Sequence, residues 1–361
     1  VTVLLAGNFL SASVGNRGVC EDLADRLRGA GWSVLTTSRQ RGRVARLADM
    51  LSTVWRRRSE FDVANVDVYS GPAFFWAEAV AWALRRLGKP YALTLHGGAL
   101  PEFAARWPGR VRRLLQSAAA VTAPSAFLLD SLRPYRADLR LIPNALDLPL
   151  YPFRLRKAPR PRLVWVRAFH EIYDPSLAVR VLAEVRKRYP AATLEMVGPD
   201  KHDGSFERTR ATAEQLGVAG AVEFTGSVPK SRVPERINSG DIFLNTTTID
   251  NTPVSVIEAM ACGACVVSTR VGGLPHLIEN GTDGLLVPPR DVRAMAAAVE
   301  RLLSERGLAE RISLGARART EAFDWGAVLP QWEDVLLGVA SRSPGGAKNS
   351  GAEGYAARSS A

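Results

Sequence analysis

Cysteine is scarce: Cys20, Cys262 and Cys265 are the only three in 361 residues. An odd set that small cannot staple a domain of this size, which points away from a secreted, disulfide-held class. Histidine is nearly as rare, and His96, His170, His202 and His276 show no pair four apart beside a glutamate, so no metal-hydrolase spacing exists. Nor is there an apolar run of the roughly 20 residues that a spanning helix needs. The opening Val1-Thr2-Val3-Leu4-Leu5-Ala6-Gly7 has no charged leader and reads as a buried strand, so a cytoplasmic protein is expected. Acidic residues are in deficit, 36 against 47 Lys plus Arg, leaving a net charge of +11. That surplus, with Arg56-Arg57-Arg58, raises a nucleic-acid-binding alternative, but no nucleic-acid motif or stacking pattern accompanies it.

What the chain does have is a repeated plan. Its length exceeds one small core, and 47% hydrophobic residues is a normal globular fraction. Apolar runs alternate with amphipathic stretches in both halves, the pattern of parallel strands joined by helical crossovers. Strands are expected at 1–6, 32–37, 63–69, 90–95, 119–123 and 139–142, then at 162–167, 192–197, 221–225, 241–246, 264–268 and 284–287. Four prolines between Asp147 and Pro161 discourage regular structure and mark a linker. The expected architecture is α/β, two Rossmann-like parallel-sheet domains facing across a cleft: 1–150, a linker at 151–161, and 162–323. Helices are expected over about 292–306 and 308–323, with a last one over 324–340. The glycine-rich 341–361 should be a disordered tail.

The stretch DNTPVSVIEAMACGACVVSTRVGGLPHLIENGTDGLLVPP, residues 250 to 289, carries the chemistry. Thr252 is a candidate N-cap and Pro253 fits the first helical position. Val254, Ser255 and Val256 would then point backbone N–H groups out of a helix mouth that favours phosphate. Asp250 lies just outside that mouth and Glu258 about one and a half turns inside, so one ligand could meet both carboxylates while its phosphates rest between them. A nucleotide sugar fits that description. Cys262-Gly-Ala-Cys265 falls at a helix-to-strand turn with no second ligand pair, so it is read as structural, and the Asn245 and Asn280 sequons as chance matches.

At these residues the chain resembles the retaining glycosyltransferases of family 4, of GT-B fold, whose signature is Glu, seven residues, Glu, then Ala-Met-Ala-x-Gly. The spacing is met in full, with Asp250 in place of the first Glu and Thr252-Pro253 in place of Phe-Gly. The resemblance implies transfer of a sugar from a nucleotide-sugar donor to an acceptor hydroxyl with retention, no cofactor and no metal, in synthesis of a surface glycan, polysaccharide or glycolipid. Asp250 would meet the sugar, Glu258 the ribose, and Asn251, Thr252, Val254 and Ser255 would also bind the donor. Arg167 matches the family's diphosphate-binding arginine. Tyr173-Asp174 stands where the family often has Lys-Gly or Lys-Asn, which leaves His170 or Lys201 as replacement cations. His96, before Gly97-Gly98, matches a polar group facing the anomeric carbon. Gly15 and Arg17, in the loop after the first strand, suit phosphate or acceptor contact, Gly272-Gly273 a backbone contact to the donor, and Gly226-Ser227-Val228-Pro229 the neighbourhood of the base. In this family the last helix commonly crosses back to the first domain. Phosphorolysis and sugar-nucleotide epimerisation are the alternative chemistries of this fold.

Charge is uneven along the chain. Residues 1–150 hold 20 Lys plus Arg against 12 Asp plus Glu. Arg39, Arg41, Arg43, Arg46 and Arg56 to Arg58 surround a segment whose Val44, Leu47, Ala48, Leu51, Val54 and Trp55 recur at helical spacing. Such a helix either lies on an anionic membrane, beside a lipid-linked or growing glycan acceptor, or packs its stripe on the sheet.

Overall fold

The computed structural model describes residues 1–10 and 18–342. Gly15 and Arg17 lie outside the described residues, as does the tail beyond Arg342. The first sheet consists of β1 (Thr2–Ala6), β2 (Ser33–Thr37), β3 (Val63–Val68), β4 (Tyr91–Leu95), β5 (Ala120–Ala123) and β6 (Arg140–Leu141). The second consists of β7 (Arg162–Val166), β8 (Thr193–Val197), β9 (Val222–Gly226), β10 (Ile242–Asn245), β11 (Cys265–Thr269) and β12 (Leu285–Val287). Each strand lies within one residue of its expected bounds. Every pairing is parallel, in the order β2-β1-β3-β4-β5-β6 and β12-β11-β10-β7-β8-β9.

Both sheets are buried on two faces, which is why strands such as Tyr91–Leu95 are apolar almost throughout. Period-two alternation sorts side chains between the faces. Leu4 and Ala6 join the core under helices Arg43–Arg56, Phe74–Arg86 and Pro108–Ser117, while Val3 and Leu5 join the one under Val19–Gly29 and Trp325–Ala340. The last helix therefore packs on the sheet of the first half. Trp32 Nε1 donates to Glu333 at 2.9 Å and Arg140 pairs with Asp334 at 2.8 Å, both holding it there. In the second half, Leu163, Trp165 and Leu244 face helices Pro175–Arg186 and Val292–Ser304, and Val164 and Phe243 face helix Val254–Ala261.

The segment 151–161 lacks regular structure but is tied down. The Arg154 N–H donates to the Cys262 carbonyl at 3.1 Å, its guanidinium pairs with buried Asp241 at 2.7 Å, and Arg156 is buried beside them. The stripe of helix Arg43–Arg56 is divided: Val54 lies in the core beside Met50 and Leu51 packs against it, while Val44, Ala48 and Trp55 are exposed. Arg46 is buried too, donating to Asn8 Oδ1 at 2.9 Å and to the Gln40 carbonyl, so it does not belong to a solvated cationic face.

Candidate active site

In an open parallel sheet a ligand binds beyond the carboxyl ends of the strands, where the strand order reverses. In the second sheet that point lies between β7 and β10, which are hydrogen-bonded neighbours. Arg167 directly follows β7 and Asp250 sits on the loop after β10, so topology brings together two residues 83 positions apart. Arg167 Nη2 donates to Asp250 Oδ2, and Nη1 lies 3.3 Å from Ser255 Oγ. The guanidinium stacks 4.2 Å from the Tyr173 ring, so the residue standing where the family often has a lysine serves as a platform for the arginine. Among the described residues, Arg167 Nε is buried without a hydrogen-bond partner. Burial pushes the Asp250 carboxyl up, against the opposing pull of Arg167 and the Asn251 N–H.

The helix beyond this pair starts one residue later than the sequence implies, at Val254, with Pro253 in the capping position. The Val256 and Ile257 N–H groups already donate to the Pro253 carbonyl, so Val254 and Ser255 lead the mouth and Val256 does not. The helix is apolar nearly all round, which leaves Glu258 buried at 4% exposure. It is satisfied by two residues the sequence gave no reason to name: Tyr151 OH donates to Glu258 Oε1 at 2.7 Å and Lys230 Nζ lies 2.6 Å from the same oxygen. Burial and the neighbouring carboxylate push the Tyr151 hydroxyl up, so it remains a donor. Lys230 directly follows the Gly226-Ser227-Val228-Pro229 loop. Tyr151, Lys230 and Val254 also line a cavity of about 950 Å³ shared with Asp22, Arg26 and Trp325 of the opposite half, large enough to enclose most of a ligand of nucleotide size.

The 250–252 loop is gripped from both sides. A Cβ on Gly272 would lie 1.9 Å from the Asp250 carbonyl oxygen, one on Gly273 2.0 Å from that of Asn251, and one on Gly98 3.0 Å from the Asp250 carbonyl carbon. These glycines let protein backbones meet, whereas open space surrounds Gly97. Asn251 and Thr252 turn their side chains to the first half as well. Asn251 Oδ1 is hydrogen-bonded to Ser125 Oγ, and Thr252 Oγ1 donates to the Pro124 carbonyl at 3.4 Å.

Across the cleft, His96 follows β4 and is buried at 9% exposure. Its Nε2 lies 3.1 Å from Asp67 Oδ1 without hydrogen-bond alignment, and its ring stacks on Tyr69 with centroids 4.8 Å apart. Asp67 Oδ2 is buried with no hydrogen-bond partner among the described residues, and a Cβ on Gly7 would fall 2.3 Å from it. Lys201 is exposed on the loop after β8, where its N–H donates to the Phe169 carbonyl, and it is not among the partners of Arg167 or Asp250. His170 Nδ1 accepts from the Ile172 N–H and lies 3.9 Å from Asp203. Cys262 and Cys265 are buried, and burial pushes both thiols up to about 12, which keeps them protonated.

The family profile "Glycosyl transferases group 1" matches residues 160–305, and that of "Glycosyltransferase Family 4" matches residues 18–150. A D-inositol 3-phosphate glycosyltransferase of Acidothermus cellulolyticus is 30% identical over 288 residues, 71% of this chain and 63% of that protein. A glycogen synthase of Mycobacterium tuberculosis is 28% identical over 211 residues, 56% of this chain and 49% of that protein. The chain thus spans from about half to less than two thirds of these relatives' length. Among solved structures, sucrose-phosphate synthase from Thermosynechococcus elongatus superposes with a TM-score of 0.77 at 20% identity, covering 93% of this chain and 98% of that one. Anabaena HepE, crystallised with UDP and glucose, gives 0.74 at 19% identity over 93% and 99%. The likeness to these structures is one of fold, and the fold is GT-B.

Proposed function

From the premise that the chain belongs to the group 1, family 4 glycosyltransferases, we propose that it moves a sugar from a nucleotide-sugar donor to an acceptor hydroxyl, with retention at the anomeric carbon and without a metal. The observation that carries this reading is the Arg167–Asp250–Ser255 cluster at the second sheet's switch point, with a buried Arg167 Nε that has no hydrogen-bond partner among the described residues. Breaking a glycosyl-phosphate bond builds negative charge on the diphosphate and positive charge on the sugar ring, so preorganised donors at the phosphate dominate the barrier. Arg167 and the leading amides of Val254 and Ser255 would supply them.

The cluster is closed on itself, which assigns a sequence to binding. A diphosphate arriving at Arg167 would compete with Asp250 for the guanidinium and free that carboxylate for sugar hydroxyls. Ribose hydroxyls would likewise displace half-exposed Lys230 from Glu258, while Tyr151 holds the second hydrogen bond. His96, positioned by Asp67 and Tyr69, would face the sugar from the acceptor side. No protein nucleophile is assigned. Support for a nucleotide sugar also comes from HepE, whose structures contain UDP, UDP and glucose, or UDP-glucose. A cytoplasmic glycan or lipid-linked acceptor completes the reading.

A donor screen tests it. Uridine, guanosine and adenosine diphosphate sugars are incubated with the full chain, and slow donor hydrolysis is followed by NMR of the released sugar. The expected result is hydrolysis of one donor class with the α-linked donor giving α-sugar first. Release of β-sugar first would remove retention, and no turnover or saturable binding of any donor would remove the glycosyltransferase reading.

A further inference from the structure

All three exposed tryptophans lie on one layer of the first half. Trp82 on helix Phe74–Arg86 is 47% exposed, Trp107 at the elbow between helices Leu100–Arg106 and Pro108–Ser117 is 44% exposed, and Trp55 ends helix Arg43–Arg56 at 39%. Phe75, 53% exposed, precedes Trp82 by seven residues and so shares its helix face. Glu78 lies between them on that face, and Arg110 Nε donates to it at 3.1 Å, which brings the elbow against the helix. Arg110 also lies 5.9 Å from the Trp107 ring. Phe75, Trp82 and Trp107 thus form one neighbourhood, in which the only charge at the centre is already neutralised.

The rim is cationic. Helices Phe74–Arg86, Leu100–Arg106 and Pro108–Ser117 carry six arginines against Glu78 and Glu102. Arg86 sits over the Trp82 ring at 5.6 Å and Arg106 over the Trp107 ring at 5.8 Å. Exposed aromatic rings grouped rather than scattered mark an interaction surface, and indole rings ringed by arginine match the boundary between acyl chains and anionic headgroups. The location fits an acceptor delivered from that boundary. The helices at Phe74 and Leu100 follow β3 and β4, whose ends carry Tyr69 and His96.

We propose that this face, centred on Phe75, Trp82 and Trp107, docks the protein on an anionic lipid bilayer. Helix Arg43–Arg56, for which the sequence left lipid and sheet packing open, is peripheral to this face: Met50, Val54 and Arg46 are buried and Arg57 is paired with Glu60 at 2.6 Å, while Val44 and Trp55 stay exposed. The inference rests on the proposed glycosyl transfer only for the identity of the acceptor; docking is a separate property. Charge complementarity favours anionic lipid over a second copy of this chain, which would bring arginine against arginine.

The test is co-sedimentation of the full chain with vesicles of phosphatidylcholine alone or with phosphatidylglycerol, at low and high salt. Wild type should pellet with the anionic vesicles at low salt and be released by high salt. A Phe75→Ser, Trp82→Ser, Trp107→Ser variant, and separately an Arg85→Gln, Arg86→Gln, Arg106→Gln variant, should each bind about tenfold more weakly or worse. An Arg56→Gln, Arg57→Gln, Arg58→Gln variant should stay within about twofold of wild type. Quenching of tryptophan fluorescence by brominated lipid should fall in a Trp82→Phe, Trp107→Phe variant. Failure of wild type to bind anionic vesicles overturns the proposal. So does equal binding by the aromatic variant, self-association through this face, or retention of oligonucleotides in place of vesicles. Donor hydrolysis in vesicle-free solution, unchanged in every variant, verifies folding and keeps failure of docking apart from failure of the catalytic reading.

Discussion

At the mouth of the second sheet stand Arg167, Asp250 and, one helix turn and more beyond, Glu258, each already joined to a protein partner. At the mouth of the first sheet stand His96, Tyr69 and Asp67, stacked and close but with two polar atoms, His96 Nε2 and Asp67 Oδ2, left without hydrogen bonds. The same topology therefore supports two kinds of site. In the proposed reading, a donor that brings formal charge would meet side chains that neutralise one another until it arrives. Where a ligand brings hydroxyls, a buried aromatic and imidazole surface with spare hydrogen-bonding capacity suffices.

The sharpest break of this contrast is Arg167→Ala. Removing the group that meets developing phosphate charge should lower turnover about 10²- to 10³-fold, measured by steady-state kinetics with the donor identified in the screen. A loss of tenfold or less would move the diphosphate to another cation, with Lys201 and Lys230 first to test. Asp250→Asn and Glu258→Gln divide the second half further. Asp250→Asn should chiefly lower kcat, while Glu258→Gln should raise the donor KM about tenfold, the effect of one charge-assisted hydrogen bond. Near-normal kinetics in both would dissolve the site.

Next in size is the grip on the 250–252 loop. Gly272→Ala adds a Cβ in contact with the Asp250 carbonyl at a φ of +50°, so it should cost about 2–3 kcal/mol of unfolding free energy, read from urea denaturation. Gly97→Ala, at a φ of +85° in open space, should cost only about 1 kcal/mol. Equal costs would show that the grip on the 250–252 loop is unimportant. The smallest effect belongs to the first half. Asp67→Asn should reduce kcat about fivefold, roughly 1 kcal/mol of positioning at His96, without changing donor KM. A change in donor KM would place Asp67 on the donor instead.

Legibility followed the same divide. Asp250 and Glu258 sit eight residues apart in a contiguous motif, so sequence spacing alone put them at one helix mouth, and the twelve strands announced themselves as apolar runs. The partners of Glu258 did not. Tyr151 comes from the linker and Lys230 from the loop after β9, contacts 107 and 28 residues away that only the folded chain makes. Asp67 was hidden inside a strand that otherwise reads as core. Gly98, Gly272 and Gly273 were recognisable as points of close approach, but the sequence could not show that what approaches is the chain itself. Helix Arg43–Arg56 stayed ambiguous in the sequence for a related reason: an amphipathic stripe looks the same whether lipid or a sheet covers it.

The central claim is that Arg167 and Glu258 hold the two ends of one nucleotide. Equilibrium titration of uridine, guanosine and adenosine diphosphates into wild type, Arg167→Ala and Glu258→Gln tests it most directly. The account predicts saturable binding of one base over the others, weakened about tenfold or more in each variant and close to additively in the double variant, because the two side chains contact separate parts of the ligand. Binding of no nucleoside diphosphate by wild type, or equal affinity in wild type and both variants, would contradict it.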